Sequence, residues 1–168
     1  DSGYVNMPDR VPISNSEPYG DYDVAPDSYG TLMTSQEEVR GALPLLVPTD
    51  GFVTQGFNPS NHHFGIDFAT KRGTPVFAAT DGYVVFSGWT YDDGNMIILS
   101  HGGGYLTLYK HNQLLLVSSH AYVKRGELIA QSGSTGQTSS GPHLHFEVWR
   151  NGLPQDPEDF LLAVSKIQ

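Results

Sequence analysis

The chain has no cysteine among its 168 residues. That excludes a disulfide framework, a thiolate metal site and a thiol nucleophile, so any bound metal must be held by His, Asp or Glu. No apolar run approaches the length of a membrane span, and no signal-peptide pattern stands at the start. Positive charge is scarce: nine Lys and Arg stand against eighteen Asp and Glu, for a formal net charge of −9. Without a basic patch, nucleic acid is not expected as a partner. Helical periodicity is missing as well, apart from a short stretch near the end.

The acidic charge is uneven. The first forty residues carry eight acidic and two basic side chains, with many Asp, Ser, Pro, Gly and Tyr and few aliphatic residues. Residues 1–42 therefore read as an acidic tail or linker that cannot bury enough apolar surface to order itself. Within it, Ser35 and Glu38 have the spacing of a capping box. An alternative is that the tail packs over a groove and restricts access to it. Residues 43–168 are enough for one domain with a real core.

From Leu43 onward the sequence turns to short apolar runs broken by Gly, Pro, Asn and Asp, which predicts an all-β domain. Strands are expected over Phe52–Phe57, Ile66–Ala69, Pro75–Ala79, Tyr83–Trp89, Met96–His101, Tyr105–Lys110, Glu127–Gln131 and His143–Trp149. Asp93-Gly94, Gly102-Gly103-Gly104 and Asn151-Gly152 read as turns between strands. Near the C-terminus, Asp156 can cap a short helix with Pro157 at its first position, running through Phe160 and Leu161.

Three stretches carry chemistry. In Gly141-Pro142-His143-Leu144-His145-Phe146-Glu147-Val148-Trp149, period-two alternation puts His143, His145, Glu147 and Trp149 on one face and Leu144, Phe146 and Val148 on the other. His143 and His145 would then be about 6.6 Å apart along the strand, close enough for one to hold a metal while the other works beside it. In His62-His63-Phe64-Gly65-Ile66-Asp67, His63 and Asp67 would be roughly 13 Å apart if fully extended, but a bend at Gly65 can bring them together. In Tyr105–His111, alternation groups Thr107, Tyr109 and His111 against Leu106 and Leu108. Each stretch alone also fits an ordinary solvated histidine. Together they fit a catalytic zinc, which takes three His or carboxylate ligands and leaves a fourth position open. His63, Asp67 and one of His143 and His145 would supply that set, leaving two imidazoles for proton transfer and oxyanion stabilisation. The residues alone leave open which member of the pair is the ligand. His101 and His120, near turns, read as solvated, and Gly133–Gly136 as a groove-wall turn.

The combination His63-Phe-Gly65-Ile-Asp67, Tyr109-Lys-His111 and Gly141-Pro-His143-Leu-His145-Phe-Glu-Val resembles the lysostaphin-type (LytM-like) zinc metallopeptidases, which cleave peptides of bacterial cell walls. The resemblance runs from about Phe52 to Pro157 and includes Gly73-Thr-Pro-Val76, Ala79-Thr-Asp-Gly82 and Gly133-Ser-Thr-Gly136. It implies one zinc ion per chain held by His63, Asp67 and His145, with His111 and His143 as catalytic residues. It also implies an antiparallel β-sheet domain of the duplicated-hybrid-motif type with a narrow groove, peptidoglycan peptides as substrate, and an extracellular or cell-envelope location. Some relatives have lost ligands and act as activators of other wall hydrolases, so a non-catalytic binding or regulatory module is the competing expectation. A histidine phosphocarrier is a third, disfavoured by Asp67 and the complete ligand set.

Overall fold

The apolar runs form ten antiparallel strands in the computed structural model, which describes residues 44–162. The expectations for the acidic tail and its capping box lie outside the described residues. The strands are β1 (Phe52–Gln55), β2 (Ile66–Ala69), β3 (Pro75–Phe77), β4 (Gly82–Thr90), β5 (Gly94–Ser100), β6 (Tyr105–Leu115), β7 (Tyr122–Val123), β8 (Leu128–Ser132), β9 (His143–Arg150) and β10 (Leu153–Gln155). They pair in the order β1-β2-β9-β6-β5-β4-β7, with β10 on β9 and with β8 joining β3 to β6. The eight strands expected from the sequence are present. β7 and β10 lie outside that expectation, since neither Tyr122–Val123 nor Leu153–Gln155 stands in an apolar alternation.

β9 sits between β2 and β6 and contributes Leu144, Phe146 and Val148 to the core. Ile66 and Phe68 of β2, Ile97 and Leu99 of β5, and Tyr109 of β6 pack into the same cluster. The Phe146 and Tyr109 rings meet with centroids 5.3 Å apart. Burying one side chain of this size contributes about 1.5–3 kcal/mol, so the strand that carries the paired histidines is among the best anchored in the fold. Its other face is covered too: His145 is 8% and Glu147 3% exposed. At His145 and Glu147 the face read as polar is thus interior, while His143 and Trp149 at its two ends stay half-buried.

The expected C-terminal helix is a single 3-10 turn, Pro157–Asp159. Asp156 does cap it, accepting from the Glu158 N–H at 3.0 Å. The turn stops because Phe160 and Leu161 are drawn back to the domain, where Leu45 N–H donates to the Phe160 carbonyl and Leu161 bridges Leu45. Among the described residues no helix is long and apolar enough to cross a membrane.

Candidate metal and catalytic site

The β2–β9 register sets Asp67 directly opposite His145 and Ala69 opposite His143. His63 reaches the same place through a break in the chain before β2. A 3-10 turn over Pro59–Asn61 ends at His62, which is left-handed with φ 57°, and Asn58 and His63 then bridge each other. Gly65 completes the bend. A Cβ at Gly65 would overlap the Phe146 carbonyl and stand 2.8 Å from Glu147 Cγ and 2.9 Å from His145 Nε2, so only glycine lets this segment lie flat against β9. His63 Nε2 ends 3.2 Å from Asp67 Oδ1, which is the bend expected at Gly65.

His111 arrives by a different device. β6 pairs Leu108 with Glu147, Tyr109 with Phe146 and Lys110 with His145. Strict alternation would send His111 to the core side with Thr107 and Tyr109, both buried. The β5–β6 register slips between Asn95 and Ile97, however, where Asn95 pairs Asn112 and Ile97 pairs Tyr109. One extra residue on β6 makes a bulge, a feature that re-aims side chains beside sites, and His111 takes it up with φ 66°. Its ring lies 4.8 Å from that of His143 and 6.0 Å from that of His145, between centroids. The sequence grouping of Thr107, Tyr109 and His111 on one polar face is therefore corrected. Thr107 and Tyr109 belong to the core, and the Tyr109 hydroxyl is satisfied there by the Ala79 N–H at 2.9 Å.

Hydrogen bonds to carbonyls fix the tautomers, because a carbonyl can only accept. His63 Nδ1–H donates to Gly56 O at 2.7 Å, His111 Nδ1–H to Thr135 O at 2.8 Å, and His143 Nδ1–H to Gly141 O at 2.7 Å. Each of these rings keeps Nε2 as its basic nitrogen. His145 differs: its Nδ1 faces Asp67 Oδ1 at 2.7 Å and its Nε2 faces Glu147 Oε1 at 2.9 Å.

Charge follows this geometry. Burial works to raise the Asp67 carboxyl, but the His145 hydrogen bond and the neighbouring imidazoles outweigh it and hold the group below its ordinary range. Burial pushes His111 down, assisted by His143 and His145 and only partly offset by the Thr135 carbonyl, so the ring is neutral near pH 7. Burial also opposes charge on Glu147, yet its bond to His145 and the Lys110 ammonium bring it to about 2.

The residues fit a metal. His63, Asp67 and His145 each offer a ligand atom, all within 4.8 Å of one another. Ligands at about 2.0–2.1 Å from a tetrahedral zinc stand roughly 3.3 Å apart, close to the 3.2 Å between His63 Nε2 and Asp67 Oδ1. His63 Nε2 is buried and makes no hydrogen bond. It faces the Asp67 oxygen as one lone pair facing another, an arrangement that a cation between them resolves. With no thiolate available, the donor set is the nitrogen and oxygen one that zinc accepts.

The structure brings the five sequence-selected residues, His63, Asp67, His111, His143 and His145, into one cluster. His101 and His120 stay outside it. His120 is exposed, as read. His101 is corrected from solvated to enclosed: Nδ1 lies 2.6 Å from Asp81 O and Nε2 2.7 Å from Thr107 Oγ1. Sequence reasoning gave no role to Glu147, Lys110 or Thr135. The alternation that paired the histidines also put Glu147 on their face and was the available signal for it.

Residues 61–157 match peptidase family M23. The murein hydrolase activator NlpD of Salmonella dublin is 35% identical over 157 residues, covering 89% of this chain and 41% of the relative. The peptidoglycan DD-endopeptidase ShyB of Vibrio cholerae is 38% identical over 123 residues, 68% of this chain and 29% of its own length. A crystal structure of a zinc-containing peptidase from Vibrio cholerae aligns with a TM-score of 0.62 at 38% identity, covering 66% of this chain and 37% of that one. The chain thus spans less than half the length of these relatives. With the antiparallel fold, the convergent His63–Asp67–His145 donors and these matches in agreement, this chain belongs to peptidase family M23, the family to which its lysostaphin-type motifs point.

Proposed function

We propose that this chain carries a zinc-dependent endopeptidase domain, residues 43–168, that hydrolyses peptide bonds of bacterial peptidoglycan in the cell envelope or outside the cell. His63 Nε2, Asp67 Oδ1 and His145 Nδ1 would hold the ion, and His111 and His143 would do the proton chemistry. Bound there, zinc supplies Lewis acidity toward water and the scissile carbonyl.

The chain's own residues supply the rest. His111 is neutral near pH 7 because burial disfavours its cation, so its Nε2 can accept a proton from the attacking water. The bulge that aims it and the Thr135 carbonyl that fixes its tautomer hold that nitrogen ready before substrate arrives. His143 stands beside His111, the two ring centroids 4.8 Å apart, with its Nδ1–H likewise occupied and its Nε2 3.8 Å from Asp67 Oδ1. Once protonated, the same nitrogen can donate to the developing oxyanion or to the leaving amine. Burial of His145 and Glu147 lowers the effective dielectric around them, which strengthens electrostatic interactions at that end of the cluster.

One observation carries this reading: every position of the set is filled, with two basic Nε2 nitrogens left beside the three ligand atoms. The test is cleavage of purified peptidoglycan fragments, followed by mass spectrometry, with and without a chelator. Chelator-sensitive release of shortened peptides is expected. A second reading, a non-catalytic activator of other wall hydrolases, is favoured by the similarity to NlpD. Zinc-loaded protein that leaves every fragment intact while stimulating a separate hydrolase would establish that reading instead.

A further inference from the structure

We infer that Asn112 is a positioning residue for His111: its side-chain amide clips the β6 bulge shut and ties it to β5, which keeps the neighbouring imidazole aimed into the cluster. This rests on the proposal above that His111 takes the proton from the attacking water.

His111 stands where β6 changes partners. Lys110 is the last β6 residue paired with β9, opposite His145. Asn112 is the first paired with β8, opposite Ser132, and the slip against β5 falls at the same point. His111 has no register partner in any of the three pairings. Its φ of 66° is one that side chains other than glycine hold only where the surroundings over-determine it. Two backbone contacts contribute: its N–H donates to Asp93 O at 2.9 Å, and its carbonyl accepts from the Thr135 N–H at 3.3 Å. Both partners lie in connections between strands rather than in the sheet.

Asn112 supplies the link within the sheet. It is 0% exposed, a burial that asparagine seldom has. Its Nδ2 donates to Tyr109 O at 2.9 Å and to Asn95 O at 3.1 Å. Tyr109 and Asn112 are the paired residues on either side of the slip, so the first bond closes the chain on itself around Lys110 and His111. The second bond fastens that loop to β5.

Carbonyls can only accept, so these two decide which end of the amide faces them. The amide oxygen is left buried with no partner. An unpaired buried oxygen is unfavourable, and what offsets it is a pair of N–H bonds that no apolar side chain of this size supplies. The Asn112 backbone also accepts from the Thr135 hydroxyl at 2.6 Å, and the Thr135 carbonyl holds His111 Nδ1–H. Asn112 therefore fixes both the backbone from which the ring departs and the loop on which it leans.

Asn112→Leu removes both donors at similar volume and tests this on the full chain. NMR gives the φ of His111 from three-bond couplings and shows whether its Nδ1–H is a slowly exchanging proton. Zinc content and steady-state kinetics on one defined peptidoglycan fragment are measured on the same preparation. Native protein should show the left-handed φ and the protected Nδ1–H. In Asn112→Leu the φ should move to the extended region and the Nδ1–H should be lost to exchange. There kcat should fall about ten- to a hundredfold, with KM and zinc content little changed. A merely structural role would lower the unfolding midpoint yet leave His111 with its native φ, protected Nδ1–H and native kcat in the folded variant, and that result would overturn the inference. If Asn112→Leu fails to fold, native protein decides. Both Asn112 amide protons should exchange slowly and show hydrogen-bond couplings to the Tyr109 and Asn95 carbonyl carbons, and rapid exchange of the pair would overturn it. Native protein that cleaves no fragment would contradict the catalytic reading alone, because the φ and the Nδ1–H are read without turnover.

Discussion

His111 and Lys110 are adjacent in sequence, yet both reach the same side of the sheet. Lys110 does so by ordinary alternation opposite His145, and His111 through the bulge and its φ of 66°. The basic nitrogen assigned to proton transfer thus sits on the ring that touches no ligand atom by hydrogen bond, its own bond being to Thr135. The ligands and the base are held by separate elements.

That separation predicts the behaviour of His111→Ala. Zinc content should stay near the native level, while turnover of peptidoglycan fragments falls by roughly two to four orders of magnitude, the usual contribution of a positioned acid or base. Metal analysis and a fragment assay on the same preparation check it. Persistent turnover would remove His111 from the chemistry.

Thr135 should matter through position alone. Its hydroxyl donates to the Asn112 carbonyl at 2.6 Å and accepts from the Asn95 N–H at 3.1 Å, fixing the loop whose carbonyl holds His111. Thr135→Val removes both bonds at nearly constant volume. We expect kcat to fall about ten- to a hundredfold with KM and zinc content little changed, measured on one defined fragment.

Gly65→Ala tests the bend between His63 and Asp67. Its methyl would press on the Phe146 carbonyl and Glu147 Cγ, and overpacking of this kind costs about 1–3 kcal/mol. Both the urea midpoint and zinc retention should drop. A variant with native values for both would show that the segment can move aside.

The pH dependence of stability should carry the signature of His101. Burial lowers its pKa below the ordinary 6.5, against the pull of the Asp81 carbonyl and carboxylate. Below that ordinary value the unfolded chain takes up a proton that the folded ring resists, so stability is full above it and is lost as pH falls toward the folded pKa. His145 works in the other sense in metal-free protein, since Asp67 and Glu147 raise it despite burial. The comparison must therefore be a difference. The stability gap between native protein and His101→Gln should narrow as pH falls from about 7 to 5, followed by urea denaturation. A constant gap would contradict the assignment.

Much of this was legible in the sequence, for physical reasons. Strands such as Ile66–Ala69 and His143–Trp149 announce themselves because one face must be apolar, and Gly65 was readable because His63 and Asp67 cannot meet without a bend. The bulge at His111 was not readable. Polar Thr107 and Tyr109 satisfy their hydroxyls inside the core, which inverted the apparent faces of β6, and a register slip leaves no mark in alternation. His101 was misread for a similar reason, since its partners Asp81 and Thr107 come from elsewhere in the fold. Glu147 stood on the right face, but its burial as a paired carboxylate depends on Lys110 and Trp149 closing around it.

The proposed activity requires metal held by His63, Asp67 and His145, and its most direct test is the zinc content of purified native protein and of His145→Ala by elemental analysis. The expected result is about one zinc per native chain, lost in the variant. Native protein that holds no zinc after zinc is added back, or a variant that retains it fully, would rule out this metal site.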